Sequence, residues 1–267
     1  METRGEPTWT IEYAAGVLLG REDTRRDGGR ITDEWPELDL PTAYAVQDET
    51  LRRRLARGER LVGVKLGLTS RAKQERMGID SPLVAWLTDA MELPAGAPVP
   101  QQRLIHPRVE PEIVFVMKDR LAGPGVTAEQ ALAAVGTVRA GVEVIDSRFT
   151  DFRFRLPDVV ADNASSAAYV LGEVALTPDA LDLAAEAVTV EVDGKAVDQG
   201  TGAAVQGHPA EALALAANSL GARGLAIEPG QVVLTGGMTD AVLAPPGVRI
   251  TMRFDHLGTL EVDGGPA

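Results

Sequence analysis

A chain of 267 residues with 45% hydrophobic and 24% charged content is globular in composition, and long enough for one large domain or two small ones. Its net charge of −13 argues against non-specific nucleic-acid binding, and an anionic substrate would need a local cation to offset that field. With no cysteine there can be no disulfide, thiolate zinc site or cysteine nucleophile; without an apolar leader or a run long enough for a membrane span, a soluble cytoplasmic protein is expected.

Taken in order, residues 9–22 have a helical pattern, and a polar, charge-rich link runs from Glu22 to Glu34. Pro41 to Arg57 reads as a second helix, with proline in its first turn, Ala43, Val46, Leu51 and Leu55 on one side, and arginines near its end. Asp48 and the charges after it read as a solvated face. Leu61 to Ser70 is a short apolar strand interrupted by Lys65, with a Thr-Ser pair placed to cap a helix from about Arg71. On the residues alone Lys65 is either a buried cation or an edge residue with its charge in water, and the edge reading is the simpler. Gly78 to Asp89 is a turn leading into an apolar stretch, and Pro94 to Pro100 is a loop.

Arg108 to Met117 alternates as a strand. Val109, Pro111, Ile113, Phe115 and Met117 share one face, while Glu110 and Glu112 lie together on the other with Val114 and Val116. Two carboxylates so placed repel unless a cation or proton intervenes, and a hard divalent ion such as Mg²⁺ takes oxygen ligands. Glu143, in the strand-like Gly141 to Asp146, could supply a third. The spacing by itself fits solvated strand acids equally well.

Gly123-Pro-Gly is a turn and Thr127 caps a helix through Ala134. Thr150 to Ser166 reads as a long irregular loop, a type that more often serves function than decoration. Val188 to Val197 is a hairpin turning at Asp193-Gly194, and His208-Pro opens an alanine-rich helix to about Arg223. Short strands follow at Gln231–Thr235, Val248–Asp255 and Thr259–Val262. Helices come first, and a mainly β body afterwards. The glycines at 200, 202 and 207 follow a hairpin with no βαβ unit around them, so a dinucleotide loop is not expected. Ser165-Ser166 lacks a nucleophile elbow. His106, His208 and His256 are not at zinc spacing, and the first two, each before proline, read as structural turn residues.

Five stretches, in order, carry a resemblance: Val62-Gly-Val-Lys-Leu-Gly-Leu-Thr-Ser70, His106-Pro-Arg-Val-Glu-Pro-Glu112, Val142-Glu-Val-Ile-Asp-Ser-Arg148, Val160-Ala-Asp-Asn-Ala-Ser165 and Leu234-Thr-Gly-Gly237. From about residue 40 onward the chain resembles the 2-oxopent-4-enoate hydratase/4-oxalocrotonate decarboxylase family of the fumarylacetoacetase-like superfamily. The resemblance implies an α+β fold, a mixed β-roll core with N-terminal and flanking helices. Within it, residues 1–75 would be a helical region packed on the core and residues 76–267 the catalytic β-roll, one structural domain overall. It implies Glu110, Glu112 and Glu143 as Mg²⁺ or Mn²⁺ ligands and Lys65, in place of the edge reading, beside a bound 2-oxo acid. Arg148 falls in a family motif as a further candidate for catalysis, and Leu83, Trp86, Asp162, Asn163, Ser165, Thr235 and Gly236 are candidates for substrate contact.

The hydratase branch of that family has an acid directly after the proline of the loop following the lysine motif. Here Ser81-Pro82 is followed by Leu83. Water addition needs a positioned acid or base, whereas CO₂ loss needs little at the departing carboxylate beyond exclusion of water. The implied activity is decarboxylation of 2-oxohex-3-enedioate in the meta-cleavage route of aromatic catabolism; hydration of 2-hydroxypenta-2,4-dienoate, C–C hydrolysis and a non-catalytic partner subunit are the alternatives. A homo-oligomer and a complex with the pathway hydratase are the implied partners.

Overall fold

The computed structural model describes residues 8–79 and 82–266. Helix α1 (Ile11–Thr24) starts at Thr10, whose hydroxyl accepts from the Tyr13 N–H. A short α2 (Ile31–Glu34) lies in the expected polar link, and α3 (Leu40–Ala56) is capped by Asp39 with proline in its first turn. Strand β1 (Leu61–Gly67), α4 (Arg71–Met77), β2 (Leu83–Thr88) and the two-residue β3 (Glu92–Leu93) follow. Then come β4 (Arg108–Met117), α5 (Ala128–Ala133), β5 (Val135–Ile145), α6 (Leu156–Ala161) and β6 (Ser166–Leu171). The chain ends with the hairpin β7 (Ala187–Val192) and β8 (Lys195–Thr201), α7 (Pro209–Ala222), β9 (Val232–Gly237), β10 (Val242–Leu243), β11 (Arg249–Phe254) and β12 (Thr259–Asp263).

The larger sheet has the order β2-β1-β9-β4-β5-β6-β3, with β10 paired to the free side of β4's first residues; the smaller has the order β12-β11-β7-β8. β1 runs parallel to β9, and β4 antiparallel to both β9 and β5, which makes the sheet mixed. Valine, isoleucine and leucine dominate its middle strands because both sheet faces are covered. One apolar cluster lies between the sheets and α7, from Val64 and Ile113 to Leu213 and Ile250. A second joins the N-terminal helices, through Ala14, Leu18, Ile31 and Val46, to Leu83, Phe149 and Val159.

Lys65 is not an edge residue: β1 is flanked by β2 and β9, and the lysine is only 3% exposed. β1 lies in the larger sheet and pairs with β2 across residue 75.

Candidate metal centre and cleft

The strand register assembles the acids. Glu110 stands directly opposite Glu143 across β4 and β5, and Glu112 is two residues on, where β4 meets Gly237 of β9. One carboxylate oxygen from each glutamate lies within 4.8 Å of the others. Glu112 and Glu143 are fully buried and Glu110 is half-buried. Burial pushes the Glu112 carboxyl well above the ordinary carboxylate range, and the neighbouring Glu143 and Glu110 push it the same way.

Compensation from the protein is partial. The Gly236 N–H donates to Glu112 Oε2 at 2.7 Å, and Lys65 Nζ donates to Glu143 Oε2 at 3.1 Å. Glu112 Oε1 is buried with no hydrogen-bond partner among the described residues, while Glu143 Oε1 is ion-paired with the Lys65 ammonium at 3.1 Å. Three converging carboxylates, one of them with an unpartnered buried oxygen, form an all-oxygen donor set that fits a hard divalent cation such as Mg²⁺ or Mn²⁺.

The backbone at residue 236 is shaped for this task. Gly236 has φ +113°, and a Cβ there would meet Thr69 Oγ1 at 2.1 Å. Glycine thus lets the end of β9 turn its N–H onto Glu112 while the loop after β1 packs against it.

A cleft of about 110 Å³ opens above the cluster, lined by Lys65, Thr69, Leu83, Glu110, Phe154 and Ser165 among others. Leu83 faces it because it pairs with Gly67, on the same strand face that carries Lys65 and its partner Ala85. Trp86, three residues along β2, lies on the opposite face. Its indole N–H donates to Asp48 and its ring packs near Arg223, and it is not part of the cleft lining. Asn163 is spent on the same strand: its amide donates to the Trp86 carbonyl and its oxygen accepts the Trp86 N–H, both at 2.9 Å.

Arg148 and Asp162 form a buried ion pair that fixes backbone. The Arg148 Nη1 donates to the carbonyls of Asp146 at 2.6 Å and Ser166 at 3.2 Å, and Asp162 also accepts the Arg148 N–H at 3.1 Å. Burial pushes the Asp162 carboxyl up to about 6 against the pull of Arg148. Burial likewise works against the Arg148 charge, but Asp162, Glu22 and Asp146 carry its pKa above the ordinary value. The pair braces a turn in which Asn163, Ala164 and Ser165 all have positive φ, a costly run for residues other than glycine. That turn delivers Ala164 and Ser165 to the cleft. Thr235 is turned into the sheet, its hydroxyl donating to the Ile113 carbonyl at 2.8 Å.

The structure therefore brings Lys65, Leu83, Glu110, Glu112, Glu143, Ser165 and Gly236 together, and uses Trp86, Arg148, Asp162, Asn163 and Thr235 as supports. Sequence reasoning passed over Thr69, Phe154 and Val159 in the cleft wall; the apolar pair Phe154 and Val159 sat in a stretch that reads as irregular.

Residues 62–263 match the fumarylacetoacetate (FAA) hydrolase C-terminal family. The chain belongs to that family. Among its members, 4-oxalocrotonate decarboxylase of Pseudomonas sp. strain CF600 is 45% identical over 228 residues, covering 85% of this chain and 86% of that protein. A 2-hydroxyhexa-2,4-dienoate hydratase of Comamonas testosteroni is 42% identical, covering 87% of this chain and 89% of that protein. The solved 4-oxalocrotonate decarboxylase of Pseudomonas putida G7, complexed with magnesium and adipate, superposes with a TM-score of 0.93 at 40% identity, over 97% of this chain and 99% of that one. The α+β fold of the family is thus the fold of this chain, and no helix among the described residues is long and apolar enough to cross a membrane.

Proposed function

We propose that this chain is a metal-dependent lyase that decarboxylates 2-oxohex-3-enedioate (4-oxalocrotonate) to 2-hydroxypenta-2,4-dienoate. The observation that carries the reading is the Glu110, Glu112 and Glu143 cluster beside Lys65, at the foot of a cleft whose wall is apolar at Leu83. Glu110, Glu112 and Glu143 would hold Mg²⁺ or Mn²⁺, which supplies Lewis acidity toward the C1 carboxylate and C2 carbonyl of a 2-oxo acid.

The chain's own residues do the rest. The C5–C6 bond breaks, CO₂ leaves, and the electron pair moves through the conjugated chain to the C2 oxygen, which takes up one proton. Lys65 directs its ammonium at the developing negative charge on that oxygen, and its burial makes the interaction stronger than it would be in water. Leu83, Phe154 and Val159 wall the reacting carbon chain off from water as its charge disperses. The conjugated ketone is itself the electron sink, so the reaction needs neither pyridoxal phosphate nor thiamine.

The hydratase names among the relatives keep water addition as the second reading. It would need an acid at the position that Leu83 fills. The proposal extends to a cytoplasmic homo-oligomer that associates with the hydratase consuming its product. The test offers 2-oxohex-3-enedioate and 2-hydroxypenta-2,4-dienoate in parallel with Mg²⁺. CO₂ release from the first without loss of diene absorbance from the second is expected. Hydration without CO₂ release would overturn the decarboxylase reading, and a protein that binds no metal would be the non-catalytic subunit.

A further inference from the structure

Arg108 stands on the strand face that carries Glu110 and Glu112, and the function proposed above does not use it. In β4 alternate residues share a face, so Arg108, Glu110 and Glu112 form one row, with adjacent members about 7 Å apart. The row has a direction. β4 runs antiparallel to β9 and β1, so passing from Glu112 to Arg108 leads toward the ends of those strands, where Gly237 and Thr69 line the cleft.

The guanidinium is held in an unusual way. Its carbon lies 4.5 Å from the centre of the Phe152 ring, and Phe152 in turn packs on His106 with ring centres 4.8 Å apart. Phe152 and Asp151 both have positive φ, so the loop that offers this ring is a strained one, and two residues later it supplies Phe154 to the cleft. The Nε of Arg108 is buried with no hydrogen-bond partner among the described residues. No ion pair there involves Arg108, although the protein carries 39 acidic residues against 26 basic ones. A cation fixed by an aromatic face and left with a buried unused donor fits a missing carboxylate.

We infer that Arg108 receives the distal carboxylate of the substrate and so selects dicarboxylic over monocarboxylic 2-oxo acids. This rests on the 2-oxo acid reading. With its 2-oxo end at the glutamate cluster, an extended six-carbon diacid reaches along β4 by about one two-residue step, the spacing between Glu110 and Arg108. The contact belongs to the bound substrate. As CO₂ forms, the charge on that carboxylate is lost, so the contact weakens on the way to the transition state. Arg108 therefore sets KM and leaves kcat unharmed.

The test measures binding to the Mg²⁺-loaded protein by calorimetry with two non-reacting probes, 2-oxohexanedioate and 2-oxohexanoate, which differ in the distal carboxylate. The wild-type protein should prefer the diacid by roughly tenfold or more, as a charge-assisted contact implies. R108Q should lose that preference while binding 2-oxohexanoate and Mg²⁺ as before, and R108K should retain part of it. In turnover, R108Q should raise KM with kcat unchanged or higher. Equal preference in wild type and R108Q would overturn the assignment, as would an equal loss of both probes or of Mg²⁺, which would make Arg108 structural. If the wild-type protein bound neither probe, the 2-oxo acid reading would itself fail, an outcome distinct from a preference that survives the substitution.

Discussion

Glu112 bears a heavy electrostatic load. It is fully buried, with two further glutamates beside it, and one Gly236 N–H and the nearby Lys65 set against them. Three carboxylates so placed on two adjacent apolar strands repel one another unless a cation or a proton intervenes. E112Q keeps an acceptor for the Gly236 N–H and removes one acidic group. In metal-free buffer the variant should therefore be more stable than the wild type, by about 1 kcal/mol, or roughly 2–4 °C in Tm for a chain of this size. The same variant should lose affinity for Mg²⁺ and lose turnover. A lower Tm for metal-free E112Q would mean that repulsion at Glu112 is not a weakness of the apo fold.

At the scale of elements, the ends of strands are tied by single buried groups. Glu186, just ahead of β7, accepts the N–H groups of His256 and Leu257 in the β11–β12 turn at 2.9 and 3.1 Å, and its other oxygen meets His256 Nδ1 at 2.6 Å. That hydrogen bond, with the attraction of Glu186, raises the His256 pKa above 6.5. A histidine raised on folding stabilises the fold fully below its unfolded value and ceases to do so as pH rises through its folded value. The Tm difference between wild type and H256Q should thus be present below pH 6.5 and shrink as the pH climbs above it; a difference that grew with pH would contradict the ion pair.

The same scale explains what could be read in advance. β4 has the bounds its alternation predicts, because its odd face is packed and its even face carries the acids. The hairpin at Asp193-Gly194 and the helix opened by His208-Pro follow from local turn and cap chemistry, His208 Nδ1 accepting the Ala210 N–H. β6 escapes notice because Ser-Ala-Ala-Tyr-Val-Leu has no alternation, and its place is set by pairing with β5. α6 is six residues long, with proline near its start and paired valines, and takes its stability from packing on α3 and from Asp158, which accepts from Thr32 and Arg155. Trp86 shows the limit of reading by proximity along the chain, since three residues from Leu83 is the other face of the strand. Arg148, Asp162 and Asn163 belong to motifs of the site, but they hold the left-handed turn at 163–165, which no glycine announces.

For the whole molecule, the site spans the middle of the larger sheet. Lys65 is on β1, Gly236 on β9, Glu110 and Glu112 on β4 and Glu143 on β5, and these four strands are consecutive neighbours. The N-terminal helices are joined to the same centre, because their apolar cluster includes Leu83 and Val159 of the cleft wall. A cation held by the three glutamates would therefore bind the native chain and have nothing preassembled to bind in the unfolded one. At a Mg²⁺ concentration 100 times its dissociation constant the gain is about 2.7 kcal/mol. For a chain of this size that corresponds to a rise in Tm of roughly 5–11 °C. The rise should come as a shift of one cooperative transition, followed by both a tryptophan signal from the helical side and the far-ultraviolet signal of the sheets, and E112Q should show none of it. Two transitions, with Mg²⁺ moving the sheet signal alone, would mean that α1 to α3 fold as a separate unit and that the shared cluster around Leu83 does not couple them to the site.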